Sequence, residues 1–547
     1  MSESVIPPSF NLVEEPWIPC LMDGGTQQFL SLQETFQQAY QVRRIAGDSP
    51  QQDYAVLRVL LVILWRAYFE EAIDENDPQQ WWSDLFEQVG EEEFYQPILA
   101  YLQEWKDSFD LLHPKKPFMQ ASTLETSKGE HVGVQRLVPE AEQDYFTLRA
   151  GEGRESLSFA EATRWLITLQ AWDYSGIKPG ALGDPRVKGG KGYPIGTGWA
   201  GNTGGIVIHG ENLGQTLLLN TVPDLVFNEG YESDSDLPAW EREPQTASPR
   251  STEMPTGPCD VLTWQSRRVR LFARNNRVDG VLVTNGDKIE IRNQYADPMT
   301  AYRYSKAQSK KGAPPVFFAK AHSEERTLWR GVSALLIQES REPNAKGEFS
   351  DKKVATLAHL SSLKDVGLGI DQRIDVELIG FVYGPKASII TDSIHEVVPF
   401  KASLLLHESS QSHYIVSAAQ QAVAAAINLG QFAGFLKEAA GKNYEFVPDA
   451  TESVLHELET SFKEWVLSIT PETDGEKARN EWFDVVAQAI EEHAAILARG
   501  AGPKALIGRM ADGDSGQQPK LLSTATALGR LRNSLKKTLE RSEENHD

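Results

Sequence analysis

Between Asp53 and Glu71 apolar residues fall on every side of a helical wheel, most densely in Ala55–Tyr68 (AVLRVLLVILWRAY). That pattern predicts a helix buried all round. The run is too short to cross a bilayer and carries Arg58 and Arg66, so it is not a membrane span. A second helix is predicted over Ser158–Trp172, where Phe159, Ala162, Trp165, Leu166 and Leu169 recur at three- and four-residue spacing. Short β-rich runs stand at Gly205–His209, Arg268–Ala273, Gly280–Val283 and Ile379–Tyr383. Asn285-Gly286 predicts a hairpin turn between Val281–Thr284 and Lys288–Arg292. Residues 228–260, rich in Glu, Asp, Pro and Ser, predict a long surface loop.

After about residue 400 the pattern becomes wholly helical, with stretches near 403–439, 449–469, 477–499 and 518–541. Trp482, Val486, Ile490 and Leu497 trace one stripe in the third; Leu521, Ala525, Leu528, Leu531, Leu535 and Leu539 trace one in the fourth. Each stripe is too narrow for a helix buried on all sides, which predicts that the four pack together as an antiparallel bundle. The predicted fold is α+β: a large mixed α/β globular domain over residues 1–400, then a four-helix bundle over 401–547.

Composition narrows the function. The chain has 547 residues, is 40% hydrophobic, and carries 54 basic against 77 acidic side chains, a net charge of −23. Such a balance excludes a protein that coats nucleic acid, because phosphate is repelled. Local charge runs both ways. Residues 70–93 hold ten acids and no Lys or Arg, whereas Trp264–Arg277 holds five arginines and no acid, and Ala301–Lys311 holds four cations and no acid. Cations interleaved with aromatics suit phosphate contact and base stacking; a solvated strand face is the competing explanation. Cys20 and Cys259 are the only cysteines, which excludes a disulfide framework and a cysteine-rich metal site and fits a reducing cytosol. The N-terminal MSESVIPPSF has neither the basic nor the apolar segment of a signal peptide.

Catalytic motifs are sparse. Gly196-Thr-Gly198-Trp-Ala-Gly201 matches G-x-G-x-x-G, but its flanks predict a loop before and a strand after, whereas a dinucleotide site needs a strand before and a helix after. No phosphate loop, nucleophile elbow or paired-histidine metal motif occurs. Neither a cofactor nor a metal is predicted, and the chain is not predicted to be an enzyme. The unusual segment is Ser175–Gly205, with eleven glycines in thirty-one residues beside Lys178, Arg186, Lys188 and Lys191. Bare backbone next to cations suits close approach to an anion or a groove; a flexible surface loop is the alternative.

Six segments in order resemble one family. They are Asn11-Leu-Val-Glu-Glu-Pro-Trp17-Ile-Pro19, His113–Gln120, Gly189-Gly190-Lys191-Gly192, Thr216–Asn220, Tyr383-Gly-Pro-Lys386-Ala387-Ser388 and Lys520–Leu528. Together they resemble the CasA family, large subunits of the type I-E CRISPR surveillance complex Cascade. The resemblance implies recognition of a protospacer-adjacent motif (PAM) in duplex DNA from the minor groove, then strand separation by a wedge and recruitment of a helicase–nuclease. It implies partners as well: other Cascade subunits, the 5′ end of the crRNA and double-stranded target DNA, in the cytoplasm and with no membrane.

Residue by residue, the glycine loop would be Gly189, Gly190, Lys191 and Gly192. The lysine finger would be Lys288, and the wedge Lys386 with Ala387, where the family pattern is glutamine–alanine. A loop facing guide RNA and the neighbouring subunit would fall at Phe146, Thr147, Leu148 and Arg149. From the charge pattern, Arg267, Arg268, Arg270, Arg274, Lys306, Lys310 and Lys311 are candidate DNA-backbone contacts. Two competing functions remain: a scaffold in the same complex that leaves PAM reading to a neighbour, and a nucleotide-binding enzyme using Gly196–Gly201.

Overall fold

The computed structural model describes residues 9–74, 78–139, 151–227, 235–310, 312–322, 348–362, 372–405, 410–511 and 519–539, with isolated positions between 329 and 343. The candidates Phe146, Thr147, Leu148, Arg149 and Lys311 lie outside the described residues.

The chain forms two compact units. One comprises residues 1–324, 339–368 and 374–397; the other comprises 325–338, 369–373 and 398–547.

At the centre of the first unit is the helix Pro50–Asp74. Leu60, Leu61, Val62, Ile63, Leu64 and Trp65 are all buried, so its middle is dry on every face. Each such side chain contributes roughly 1.5–3 kcal/mol of burial. The Trp65 indole N–H donates to Thr221 Oγ1 at 2.8 Å, so the one polar atom of that ring is satisfied. No described helix is long and apolar enough to cross a membrane. Helices Glu92–Glu104 and Phe159–Trp172 pack against it.

Sheets in this unit are small. Strand Ile18–Met22 lies between Gln27–Leu30 and Val42–Ile45, antiparallel to both. A second sheet orders Ile390–Lys401, Arg373–Tyr383 and Gly205–His209. A long hairpin pairs Arg267–Arg274 with Arg277–Asn285.

That hairpin corrects the turn expected at Asn285-Gly286. The chain reverses instead at Asn275-Asn276, whose φ values of 51° and 57° are those a two-residue type I′ turn requires. Asn285 and Gly286 continue the pairing, with Gly286 N–H donating to Ser266 O at 3.0 Å. Gly286 has no Cβ because one would stand 2.3 Å from Gln265 O. Its glycine serves a close approach rather than a turn.

In the second unit, helices Ser410–Ala439, Pro448–Ser468, Gly475–Gly500 and Thr524–Thr538 pack on one another, the first touching the other three. Glu457 pairs with His493, and Trp465 Nε1 donates to Ala478 O, so the second and third helices run antiparallel. Asn428 with Thr538 and Phe435 with Arg530 set the first and fourth antiparallel in the same way. Phe462, Trp465 and Trp482 stack at its core, joined by Trp329 at 4.7 Å from Phe462. Trp329 comes from a segment that periodicity placed outside the bundle. The last helix is shorter than expected, because Lys520–Leu522 pairs as a strand with Arg509–Ala511 and leaves Leu521 exposed.

Candidate nucleic-acid interface

Helix Phe159–Trp172 organises the candidate elements. Ser158 caps it by accepting the Glu161 N–H, and it ends where Asp173 turns to extended backbone. A carboxylate at a helix C-terminus is disfavoured by the helix dipole. Here three cations offset that: Arg267 Nε at 2.5 Å, Arg136 Nη2 at 2.5 Å and Lys178 Nζ at 3.2 Å. Burial alone would raise the Asp173 carboxyl; these cations overcome it and hold it well below the usual carboxylate range. Burial pushes the Lys178 ammonium down to about 8, against the pull of Asp173.

Lys178 opens the glycine-rich hairpin. Lys178–Pro179 pairs antiparallel with Lys191–Gly192, and Gly180 N–H donates to Gly190 O at 2.9 Å. Lys188 and Lys191 exchange backbone hydrogen bonds around Gly189-Gly190. These two glycines have φ of +58° and +73°, the pair of positive values a type I′ turn requires. A Cβ added to either would meet nothing within 4 Å, so the tip faces open space. Gly192 differs: it is buried, and its Cβ would stand 2.8 Å from Asn285 Nδ2. The Asn285 amide donates to Tyr193 O at 2.6 Å, tying the glycine hairpin to the long one. Lys188 and Lys191 flank the tip, exposed and without ion pairs among the described residues.

Lys386 and Ala387 sit at the turn between strands Arg373–Tyr383 and Ile390–Lys401. Both are left-handed, with φ of 59° and 51°. Non-glycine residues held there cost about 1–3 kcal/mol each, a strain the surroundings must enforce. Gly384 N–H donates to Ile389 O at 3.0 Å and Ala387 N–H to Gly384 O at 2.9 Å, closing the turn. Lys386 is exposed and has no ion pair among the described residues. At its base Tyr383 donates its hydroxyl to Trp172 O at 2.5 Å. A cavity of about 240 Å³ lies alongside, lined in part by Arg136, Asp173, Tyr174, Ser388 and Ile389. The glycine hairpin and the Lys386-Ala387 turn are thus anchored on the same helix end, through Asp173 and Trp172. Neither anchor was singled out as a site residue from the sequence, because Arg267 on Asp173 and Tyr383 on Trp172 lie 94 and 211 positions away.

Two phosphate-contact candidates are corrected. Arg267 is 1% exposed and bound to Asp173, and Arg268 is 2% exposed and bound to Asp287 at 2.8 Å. Both guanidinium groups are structural. Arg270 is half-buried, donates to Leu124 O and lies over the Phe272 ring. Arg274 is exposed beside Asp279, and Lys306 is exposed with Glu348 at 2.6 Å. Lys310 is exposed in the same loop, and Lys288 is half-exposed with Glu253 at 2.7 Å. Exposed pairs of this kind are weak enough to exchange for a phosphate.

The G-x-G-x-x-G segment leads into a helix of only five residues, Trp199–Thr203. A Cβ at Gly198 would stand 2.3 Å from Ala171 O, and one at Gly201 2.5 Å from the Tyr383 hydroxyl. These glycines admit the protein's own chain, not a pyrophosphate. Among the described residues no cluster of His, Cys, Asp and Glu could hold a metal ion.

The molecule thus combines a mixed α/β unit, a helical bundle and two exposed cationic turns, one held on buried ion pairs and the other by the Tyr383 hydroxyl. The sequence matches the family model described as CRISPR-associated protein Cse1 over residues 11–492. It is 30% identical over 415 residues to the CRISPR-associated protein CasA/Cse1 of Thermus thermophilus, covering 74% of this chain and 73% of that one. The crystal structure of Thermobifida fusca Cse1 superposes with a TM-score of 0.84 at 37% identity, over 98% of this chain and 99% of that one. A chain of a CRISPR RNA-guided surveillance complex shares the fold at 19% identity, with a TM-score of 0.65 over 90% of this chain and 100% of that one. The chain belongs to the CRISPR-associated Cse1 family, also called CasA.

Proposed function

We propose that this chain is the large, non-catalytic subunit of a type I-E RNA-guided surveillance complex in the cytoplasm, and that it recognises the PAM of duplex DNA from the minor groove. One observation carries the reading: the Gly189-Gly190 tip is bare main chain facing open space, between Lys188 and Lys191, which have no ion pair among the described residues, on a base fixed by buried charges. The minor groove of B-DNA is about 6 Å wide, and a turn without Cβ atoms can approach its floor where a bulkier one would clash. Lys288 then donates to the O2 and N3 acceptors, with Arg274, Lys306 and Lys310 along the backbone.

The turn at Lys386 and Ala387 supplies the wedge. Unstacking a base step costs roughly a few kcal/mol. A rigid strained turn inserts with little ordering of its own, and Lys386 pairs with a displaced phosphate. The family relationship supports partners beyond DNA: other subunits, the 5′ end of the guide RNA, and a recruited helicase–nuclease. Contact with the guide is assigned to residues 146–149. None of these steps asks the chain to break a covalent bond.

Gly190→Asp tests the reading in the assembled complex. It keeps a residue type that tolerates positive φ but places a carboxylate at the tip. Binding to PAM-containing duplex is expected to fall by at least about a hundredfold, or ~2.7 kcal/mol. Unchanged binding would favour the scaffold role.

A further inference from the structure

The glycine hairpin has two unlike faces. Lys178, Gly180 and Gly192 point inward and are buried; Ile177, Pro179, Lys191 and Tyr193 alternate with them and are exposed. Lys178 pairs with Gly192, so Ile177 and Tyr193, the residues next to that pair, lie at the same end of the ladder. Those two large side chains are 58% and 54% exposed. Their backbone is held rigidly by Asp173 below and by Asn285 on the Tyr193 carbonyl. An apolar face with no acid thus runs directly into the diglycine tip and its lysines.

We propose that Ile177, Pro179 and Tyr193 are specificity-determining residues that pack against deoxyribose along the groove wall and restrict the hairpin to DNA. The inference rests on the minor-groove reading above. Sugar edges of DNA are apolar on that side, whereas RNA displays its 2′-hydroxyls in the minor groove. Pressing a hydroxyl against Ile177 or the ring face of Tyr193 removes its water and returns no hydrogen bond. The A-form minor groove is also wide and shallow, so the tip and the apolar face cannot both find walls there. Charge favours nucleic acid over a protein partner, since the two exposed charged residues flanking the tip, Lys188 and Lys191, are both cations. A few side chains are also a small patch for a stable protein interface, which buries about 800 Å² per partner.

The test uses the full chain in its assembled complex and two probes: a PAM-containing DNA duplex, and the same duplex with ribonucleotides at the PAM positions. Wild type is expected to prefer the all-DNA probe by about tenfold. In Ile177→Ser/Tyr193→Ser, DNA affinity is expected to fall about tenfold while ribo-substituted affinity stays level, so the preference disappears. Tyr193→Phe is expected to retain it, and the melting temperature is expected to hold, since both side chains point outward. A preference that survives the double substitution overturns the proposal. So does a double variant that joins the complex more weakly than wild type yet binds both probes as wild type does once assembled, which would make the face a protein contact. Gly190→Asp separates the two levels. If it abolishes DNA binding while the serine variant is neutral, the groove reading stands and the sugar contact falls; if it is neutral, the groove reading itself falls.

Discussion

Burying Asp173 among Arg136, Lys178 and Arg267 sets a balance in which removing the acid is worse than never having placed it. Asp173→Asn keeps the shape but strands Arg267 and Lys178 without a counter-charge. Loss of one partner from such a buried set costs about 3–5 kcal/mol, readable as a lower denaturation midpoint. A change below about 1 kcal/mol would mean that water, not Asp173, satisfies these cations. Glu377 offers a pH test elsewhere in the same unit. Its carboxylate oxygens are each 2.7 Å from a ring nitrogen, of His209 and of His395. Burial would raise this carboxyl, but the two hydrogen bonds bring it from 4.5 down to about 2. A depressed acid stabilises the fold above its unfolded value and loses that contribution as pH falls through the folded one. Unfolding free energy is therefore expected to drop between pH 4.5 and about 2, and this acid limb is expected to flatten in Glu377→Gln. His395, raised by the hydrogen bond to Glu377, contributes in the opposite sense: its share is full below 6.5 and fades as pH rises through its folded value.

Among the elements, those carrying their own periodicity were legible. Phe159–Trp172 and Gly205–His209 appear within a residue of where spacing put them, because each contains the apolar positions that define it. Elements whose residues answer to distant partners were not. Asn285-Gly286 has turn chemistry, yet the carbonyl of Gln265 dictates its glycine, and Asn275-Asn276 makes the turn. Arg267 and Arg268 look like a basic patch until Asp173 and Asp287 fold onto them. At the turn between strands Arg373–Tyr383 and Ile390–Lys401, no pattern announces that Lys386 and Ala387 both adopt left-handed backbone. A kinetic consequence belongs to that turn. Lys386→Ala should slow strand opening more than it weakens first contact with the duplex, because the side chain acts only once bases part. Stopped-flow measurement with a base analogue beside the PAM separates the steps. Equal losses at both would place Lys386 in initial binding instead.

For the whole molecule, the net charge of −23 and the local cations have complementary roles. On the proposed function, repulsion between acidic surface and phosphate would keep non-specific binding weak, so that the exposed lysines at two turns would act only where shape also fits. Family and overall fold were legible from motifs spread between Asn11 and Leu528, a span no single catalytic signature matched. The candidate interface was legible only in its glycines and exposed lysines. Its anchoring, by Asp173, Trp172 and Asn285, exists solely in three dimensions. The most direct measurement is the structure of the assembled complex on a PAM-containing duplex. It is expected to place the Gly189-Gly190 main chain in van der Waals contact with the minor-groove floor, with Lys386 at the first separated base step. A hairpin turned to solvent or packed on another subunit, with the PAM contacted elsewhere, would contradict it.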